Sequence, residues 1–230
     1  MTIYGVLDHA IPVVFQSALL TAALVIGAGV LVRQQLRAGG VLPDEGITLR
    51  NIVEGMVEFL VALAEGIMGA HARAHMGLGC SIFFFVLVAN LLGLIPGFGG
   101  PTSFIETAAA WAVISFVSYN YAGIKAHGGH YLDHFMGPAF DVGGRHIRVA
   151  APFFLPLELI LHFSRILTLT IRLFANMFAD HQVVAVWIGL VPFAVPAVFM
   201  GLGTFIAFLQ AFVFALLTMI YIGGALEEAH

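Results

Sequence analysis

Five apolar runs dominate this sequence, and each is long enough to cross a lipid bilayer as a helix. They lie at about residues 11 to 32, 77 to 96, 106 to 124, 153 to 189 and 197 to 224. A helix needs about 20 residues to cross roughly 30 Å of hydrocarbon. Only 10% of the 230 residues are charged, against about 25% in soluble domains. The sequence therefore predicts an all-α integral membrane protein with five transmembrane helices.

The segment between the first two runs predicts a different kind of helix. In LRNIVEGMVEFLVALAEGIMGAHARAH, Glu54, Glu58 and Glu65 recur at spacings of four and seven residues among apolar side chains. That spacing places the acids on one face of a helix and leaves the other face apolar. Such a helix lies in the membrane interface rather than crossing it. We therefore expect one amphipathic interfacial helix in addition to the five transmembrane helices.

The basic residues predict the orientation of the chain. Segments rich in Lys and Arg stay on the cytoplasmic side, and seven of the nine basic residues follow the first or the third run. The N-terminus is therefore expected outside and the C-terminus in the cytoplasm. The net charge is −4 and the basic residues are scattered, which argues against nucleic-acid binding. The seven basic residues that follow the first or the third run are Arg33, Arg37, Arg50, Arg73, Lys125, Arg145 and Arg148.

These assignments predict a single membrane domain that covers the whole chain, residues 1–230. Its parts are an outer N-terminus with the first transmembrane helix (1–32), a cytoplasmic loop with the amphipathic helix (33–76), a transmembrane hairpin (77–124), a second cytoplasmic loop (125–152) and a long tilted hairpin with the C-terminus (153–230).

The fourth run carries a stripe of polar residues. Glu158, Arg165 and Arg172 are spaced by seven residues, and seven residues return a helix to within ~20° of the same direction. Asn176, one turn beyond Arg172, continues the line. Ionisable groups inside a membrane cost about 2.5 to 3.5 kcal/mol each on insertion scales, so we expect the stripe to face protein or water. His162 and Ser164 flank it.

The two arginines of this stripe call for different explanations. Arg165 is close enough to the cytoplasmic end for its side chain to reach the interface, with Glu158 as the expected partner. Arg172 is far from both ends, and a guanidinium cannot lose its charge. The final run contains no acid, and its most evident polar residue is Gln210. The sequence therefore predicts that the countercharge of Arg172 comes from another protein.

The polar stripe and its surroundings resemble a known family. LELILHFSRILTLTIRLFANMFADH, followed by FLQAFVFALLTMIYIGGALEE and preceded by NLLGLIPG, is similar to subunit a of the F-type ATP synthase. The resemblance extends from about Asn51 to the C-terminus, and the R-L-x-x-N and Q-A-F/Y-x-F elements are highly specific. It implies that Arg172 is the family's essential arginine, Asn176 its conserved asparagine and Gln210 the glutamine of its last helix.

The same resemblance implies a function and partners. The chain is expected to be the membrane stator that conducts protons to and from carboxylates of a rotating c-ring, and so couples the proton gradient to ATP synthesis. It would be a non-catalytic subunit with no cofactor, and its partners would be the c-ring, the subunit b peripheral stalk, the rest of the complex and the lipid bilayer. A bacterial inner membrane is the expected location.

The implied mechanism needs two offset half-channels, which can be assigned to residues of the stripe. We assign the outer one to Asn176, Asp180, His181 and the small residues Gly201 and Gly203, since histidine titrates near neutral pH. In some relatives an acid or a histidine stands at the position of Gly203, and an acid at that of Gly93. The cytoplasmic half-channel is assigned to Glu158, His162, Ser164 and Arg165.

Several other polar residues have simpler explanations. Glu106 stands three residues after Ser103, which predicts a capping box at the start of the third transmembrane helix. Two groups of histidines have spacings that could bind zinc, but neither has a supporting cysteine or glutamate motif, so no metal is predicted. These groups are His71 with His75, and His127, His130, Asp133 and His134.

Two other classes of function remain as alternatives. One is a self-contained ion channel or secondary transporter that uses Arg172 as an anion site, although no internal repeat supports it. The other is an intramembrane hydrolase that uses Ser164 or the histidines, although no nucleophile and base form a recognisable pair.

Overall fold

Six α-helices contain most of the residues that the computed structural model of this chain describes. The model describes residues 12–39, 46, 48–95, 99–128, 140–142, 145–147, 151–191 and 194–227. The helices are α1 (Val13–Gly39), α2 (Leu49–Met68), α3 (Ala72–Leu94), α4 (Ile105–His127), α5 (Ala151–Leu190) and α6 (Ala194–Glu227).

Each of the five apolar runs coincides with one helix, so the prediction of a helical protein is confirmed. By length and hydropathy, the helical stretches Val13–Arg37, Leu49–Leu94 and Ala194–Glu227 are apolar enough to cross a membrane. The structure adds one short feature that the sequence did not predict. Strands β1 (Phe140–Val142) and β2 (Arg145–Ile147) pair antiparallel, with Phe140 opposite Ile147.

Helix α2 has the amphipathic pattern that the sequence predicted. Leu60, Ala64 and Met68 are buried at intervals of four residues, whereas Glu58 and Glu65 are exposed. A 3₁₀ turn, Gly69–His71, separates α2 from α3. This break needs a glycine because the φ angle of Gly69 is 54°, in a region that other residues rarely adopt.

Helix α6 forms the centre of the bundle and packs against α2, α3, α4 and α5. Small residues allow close packing around it. Gly79 of α3 accommodates the tip of Met219, and a Cβ atom at Gly223 would lie 3.0 Å from Ile67 of α2. The hydroxyls of Ser115 on α4 and Thr218 on α6 form a buried hydrogen bond of 2.8 Å. This packing fixes the position of α6 beside α5.

The start of α4 differs from the prediction. The helix begins at Ile105, its N-cap residue is Phe104, and no side chain caps it. Ser103 belongs to a separate 3₁₀ turn, Pro101–Ser103. The predicted capping box with Glu106 is therefore wrong, because the hydroxyl of Ser103 is bonded to a residue of α5 instead.

Helix α5 has the unusual length that the fourth run predicted. It contains 40 residues, which corresponds to about 60 Å at 1.5 Å per residue. Pro156 lies near its beginning, where a proline removes only one hydrogen bond from the helix. The predicted polar stripe is therefore carried by one continuous helix.

Candidate functional site

A hydrogen bond between two amides joins α5 to α6 near the middle of the stripe. The Nδ2 of Asn176 donates to the Oε1 of Gln210 over 2.9 Å. Gln210 is only 5% exposed, and its own Nε2 has no partner among the described residues. The two amides that the sequence singled out on separate helices are thus in direct contact.

Arg172 lies one helical turn from this bond and is half-buried. Its neighbours Leu169 and Leu173 are buried in the core, whereas Ile171 is 50% exposed. Within the described part of the chain, no carboxylate oxygen lies within 4.0 Å of the guanidinium. The arginine is therefore at the edge between the packed face of α5 and its exposed face, and it lacks an acidic partner among the described residues.

His181 connects α5 to the last turn of α3 and to the 3₁₀ turn before α4. Its Nε2 is hydrogen-bonded to the carbonyl oxygen of Gly93, and its Nδ1 lies 2.9 Å from the hydroxyl oxygen of Ser103. Because a carbonyl only accepts, Nε2 carries the hydrogen, and the hydroxyl of Ser103 donates to Nδ1 of the neutral ring. If the ring gains a proton, the hydroxyl can rotate and accept from Nδ1. Both protonation states are therefore compatible with the same contacts.

Asp180 lies beside His181 and points towards α6. A Cβ atom at Gly203 would lie 3.4 Å from the Oδ2 of Asp180 and 2.6 Å from Leu94. The Oδ2 is buried and has no hydrogen-bond partner among the described residues. Buried polar atoms normally have a partner, so this oxygen is a natural place for a proton or a water molecule. Gly203 and Gly93 each leave space that a side chain of α5 occupies.

A second polar group lies at the other end of the stripe. The Nδ1 of His162 is 3.2 Å from the Oε1 of Glu158, and His162 is only 4% exposed. The guanidinium carbon of Arg165 lies 5.7 Å from the ring centre of Tyr119 and 5.0 Å from that of Tyr221. Both distances are typical of cation–π interactions. The predicted pairing of Arg165 with Glu158 is therefore wrong, since the two tyrosines hold the guanidinium on the inner side of α5.

Comparisons with known proteins show which family the chain belongs to. Residues 15–223 match the model of the family described as ATP synthase A chain. The chain belongs to this family. It is 43% identical over 189 residues to the ATP synthase subunit a of Trichlorobacter lovleyi, with 79% of each chain covered. It is also 40% identical over 213 residues to the ATP synthase subunit a of Solibacter usitatus, with 92% of this chain and 86% of the relative covered.

Two residues that the sequence assigned to the half-channels lie outside the two polar groups. Ser164 is exposed, because two residues turn a helix by about 160° away from His162. Gly201 is also exposed, and nothing lies within 4 Å of the place where its Cβ would be. Neither residue contacts a described residue of the two polar groups, and their assignment to the half-channels stays a prediction.

The structure also adds residues that sequence reasoning missed. Ser103, the carbonyl of Gly93, Tyr119 and Tyr221 all contact residues of the polar stripe. Their partners are 78 residues away for Ser103 and 88 for Gly93, and no local pattern encodes such distant pairs. The only available signal was the position of Gly93, where some members of the family carry an acid.

The histidine groups outside the stripe provide no metal site in the described part of the chain. No group of three or more His, Cys, Asp or Glu side chains that could hold a metal ion occurs there. His127 instead lies 3.2 Å from the carbonyl oxygen of Leu226 through its Nε2. His130, Asp133 and His134 lie outside the described residues.

Proposed function

We propose that this member of the ATP synthase A chain family is the membrane stator that conducts protons to and from the carboxylates of a rotating c-ring. The observation that carries the proposal is the position of Arg172. This fixed charge has no acidic partner among the described residues and stands on α5 between two separate polar groups. A fixed cation without an acidic partner can pair with the carboxylates of a rotating c-ring, which pass it one after another.

The two polar groups are offset from each other along α5 and around it. His181 is nine residues from Arg172, about 13 Å along the helix and half a turn around it. Glu158 is 14 residues away in the other direction, about 21 Å. Between them the buried side of α5 carries Leu169, Leu173 and Met177 in the core, and the hydroxyl of the buried Thr170 is bonded within the helix to the carbonyl of Ile166. This geometry supports two half-channels that reach the region of Arg172 from opposite sides of the membrane.

The electrostatics of Arg172 supply the coupling. An opposite charge within about 4 to 6 Å lowers the pKa of a carboxylate by about 1 to 3 units. A ring carboxyl that arrives protonated therefore releases its proton to one half-channel as it approaches the guanidinium. After passing Arg172 it takes up a proton from the other half-channel and returns to the lipid in neutral form. The fixed charge blocks direct passage between the half-channels, so proton flow requires rotation.

The outer half-channel is proposed to use Asp180, His181 and Asn176. His181 can exchange a proton while it keeps both of its hydrogen bonds, because the hydroxyl of Ser103 can donate or accept. The unpartnered Oδ2 of Asp180 offers the next acceptor towards α6. The cytoplasmic half-channel is proposed to use Glu158 and His162, which are in contact, with Arg165 at its side. The transported ion is the proton, and no cofactor is required.

The membrane placement completes the proposal. Helices α1, α3, α4, α5 and α6 are the five transmembrane helices, and α2 lies in the interface with Glu58 and Glu65 towards water. The N-terminus faces outwards and the C-terminus faces the cytoplasm of a bacterial cell, in the inner membrane. The partners are the c-ring and the subunit b peripheral stalk. The relatives are named as ATP synthase subunits, which favours this function over a self-contained channel or transporter.

Photocrosslinking of the assembled complex tests whether a ring lies against α5. A photoreactive residue in place of Ile171, which is 50% exposed beside Arg172, is expected to form a product with the small ring subunit. Val117 of α4 is the matched control, since it is 57% exposed but lies on a helix behind α5 and α6. Crosslinks to the ring from position 117 and none from position 171 would reject the proposed surface.

Ser103→Ala is expected to slow proton pumping without preventing assembly. The change removes the hydroxyl that is bonded to His181, a contact worth about 1 kcal/mol, and we expect the initial rate to fall several-fold. The measurement is quenching of a pH-sensitive dye in vesicles supplied with ATP. Ser81→Ala is the control, because that exposed hydroxyl bonds only to the carbonyl of Gly77 in its own helix. Equal rates for the two variants would contradict a role for Ser103.

A further inference from the structure

A cavity outside the polar stripe opens at the end of the bundle where α3 begins and where α4 and α6 end. Its volume is about 510 Å³, which is within the usual range of ~300 to 1,000 Å³ for small-molecule sites. Its lining includes His71, His75, Ser118, Tyr121 and Lys125. None of these five residues belongs to either proposed half-channel, so the proton path does not account for the cavity.

The polar part of the lining favours an anion. Lys125 supplies a fixed positive charge, and the rings of His71 and His75 supply further N–H groups. His71, His75 and Lys125 all line the same cavity, so the three basic side chains lie close together. Among the described residues, no acidic side chain lines the cavity. Glu227, which follows the lining residue Leu226, is exposed and forms no ion pair with a described residue.

The remaining part of the lining is apolar. Ala74 and Leu78 of α3, Ala122 of α4 and Leu226 of α6 form the wall. The cavity is therefore amphipathic, with basic and hydroxyl groups beside aliphatic ones at one end of a membrane-embedded bundle. A small soluble anion needs only the basic groups, whereas a phospholipid uses both parts of such a lining.

We propose that this cavity binds the phosphate headgroup of an anionic phospholipid. Lys125 pairs with the phosphate, while His71, His75 and Ser118 lie where they can donate hydrogen bonds to its oxygens. The first part of an acyl chain then lies along Leu78 and Leu226. Basic pockets between transmembrane helices are known to bind lipid headgroups in this way. The bound lipid neutralises basic groups that otherwise repel one another, and it joins the ends of α3, α4 and α6.

Native mass spectrometry of the complete detergent-purified complex tests this assignment. The complex is incubated with phosphatidylglycerol, which is anionic, or with phosphatidylcholine, which has no net charge, and the retained lipid is counted. We expect preferential retention of phosphatidylglycerol. The variant Lys125→Gln is expected to lower its retention about fivefold, the ratio that corresponds to ~1 kcal/mol per basic residue near an anionic headgroup. Lys125→Gln combined with His75→Gln should lower it further.

Arg73→Gln provides the matched control. Arg73 lies on the same turn of α3 as His75 and carries the same charge as Lys125. It is exposed, pairs with Glu65 over 3.7 Å and does not line the cavity. This variant should retain phosphatidylglycerol as wild type does. Normal assembly and ATP-driven proton pumping of the Lys125 variants would show that the fold is intact.

Two results would overturn the proposal. One is equal retention of phosphatidylglycerol by wild type and by the Lys125 variants. The other is an effect of Lys125→Gln on binding of inorganic phosphate alone, measured by calorimetry, without any change in lipid retention. That outcome would identify a site for a soluble anion in place of a lipid.

Discussion

Arg172→Ala is expected to abolish ATP-driven proton pumping while the complex still assembles. At ~4 Å and an effective dielectric constant of about 20, two unit charges interact by ~4 kcal/mol, which corresponds to roughly a thousandfold change in an equilibrium constant. Without this interaction the pKa of a ring carboxyl is not lowered beside α5, so the carboxyl keeps its proton. The side chain makes no ion pair with a described residue, so its loss leaves the packing of α5 and α6 in place.

Dye quenching in vesicles that contain the reconstituted complex measures this effect. Arg172→Lys should also fail, because an ammonium group lacks the planar fork of the guanidinium and loses its proton more easily when desolvated. Arg165→Ala is the control on the same helix. It removes an equal charge, but one that lies over Tyr119 and Tyr221, and we expect only a partial loss of pumping. Persistent coupled pumping by Arg172→Ala would refute the proposed role of this residue.

Single cysteines along α5 should change the side from which they react near Arg172. In a Cys80→Ser background, Glu158→Cys should react with a membrane-impermeant thiol reagent from the cytoplasmic side only. His181→Cys should react from the outer side only. Because a thiolate forms in contact with water, Leu173→Cys, at a position that is buried beside Arg172, should react roughly tenfold or more slowly from either side.

The measurement compares two vesicle preparations in which the membrane has opposite orientations. The reagent is added to the outside of the vesicles only, so each preparation exposes a different side of the protein to it. Ser164→Cys is an informative control, because Ser164 is exposed on the opposite face of α5 from His162. Its reactivity should fall when the ring is present, whereas that of Glu158→Cys should not. A continuous line of positions that react past residue 172 from one side would indicate a single pore and contradict two half-channels.

The sequence was sufficient to predict the helices and to single out two amides that the structure brings into contact. Apolar runs and a spacing of seven residues are local properties, so they predicted the length of α5 and the stripe through Glu158, Arg165 and Arg172. Motif similarity placed Gln210 in the same site, and its contact with Asn176 confirms that the two helices meet there.

The parts that could not be predicted depend on distant contacts. Ser103 has the right spacing from Glu106 for a capping box, but the better partner for its hydroxyl is His181 on another helix. Arg165 stacks on aromatic rings of α4 and α6, although its sequence neighbourhood offers Glu158. In both cases a side chain has a plausible local partner, and tertiary packing provides a different one. Gly203 was assigned to the outer half-channel as a small residue, but only the structure shows that Asp180 and Leu94 fill the space beside it.

The bond between Asn176 and Gln210 has a mechanical consequence. Neither amide gains or loses a proton in the physiological range, so the strength of this link is independent of pH and of the protons that pass beside it. A stator must resist torque equally in every stage of a rotation. An ion pair at the same place would weaken each time one of its members was neutralised. The amide pair therefore links α5 to α6 in the same way whatever the protonation of the titratable groups around it.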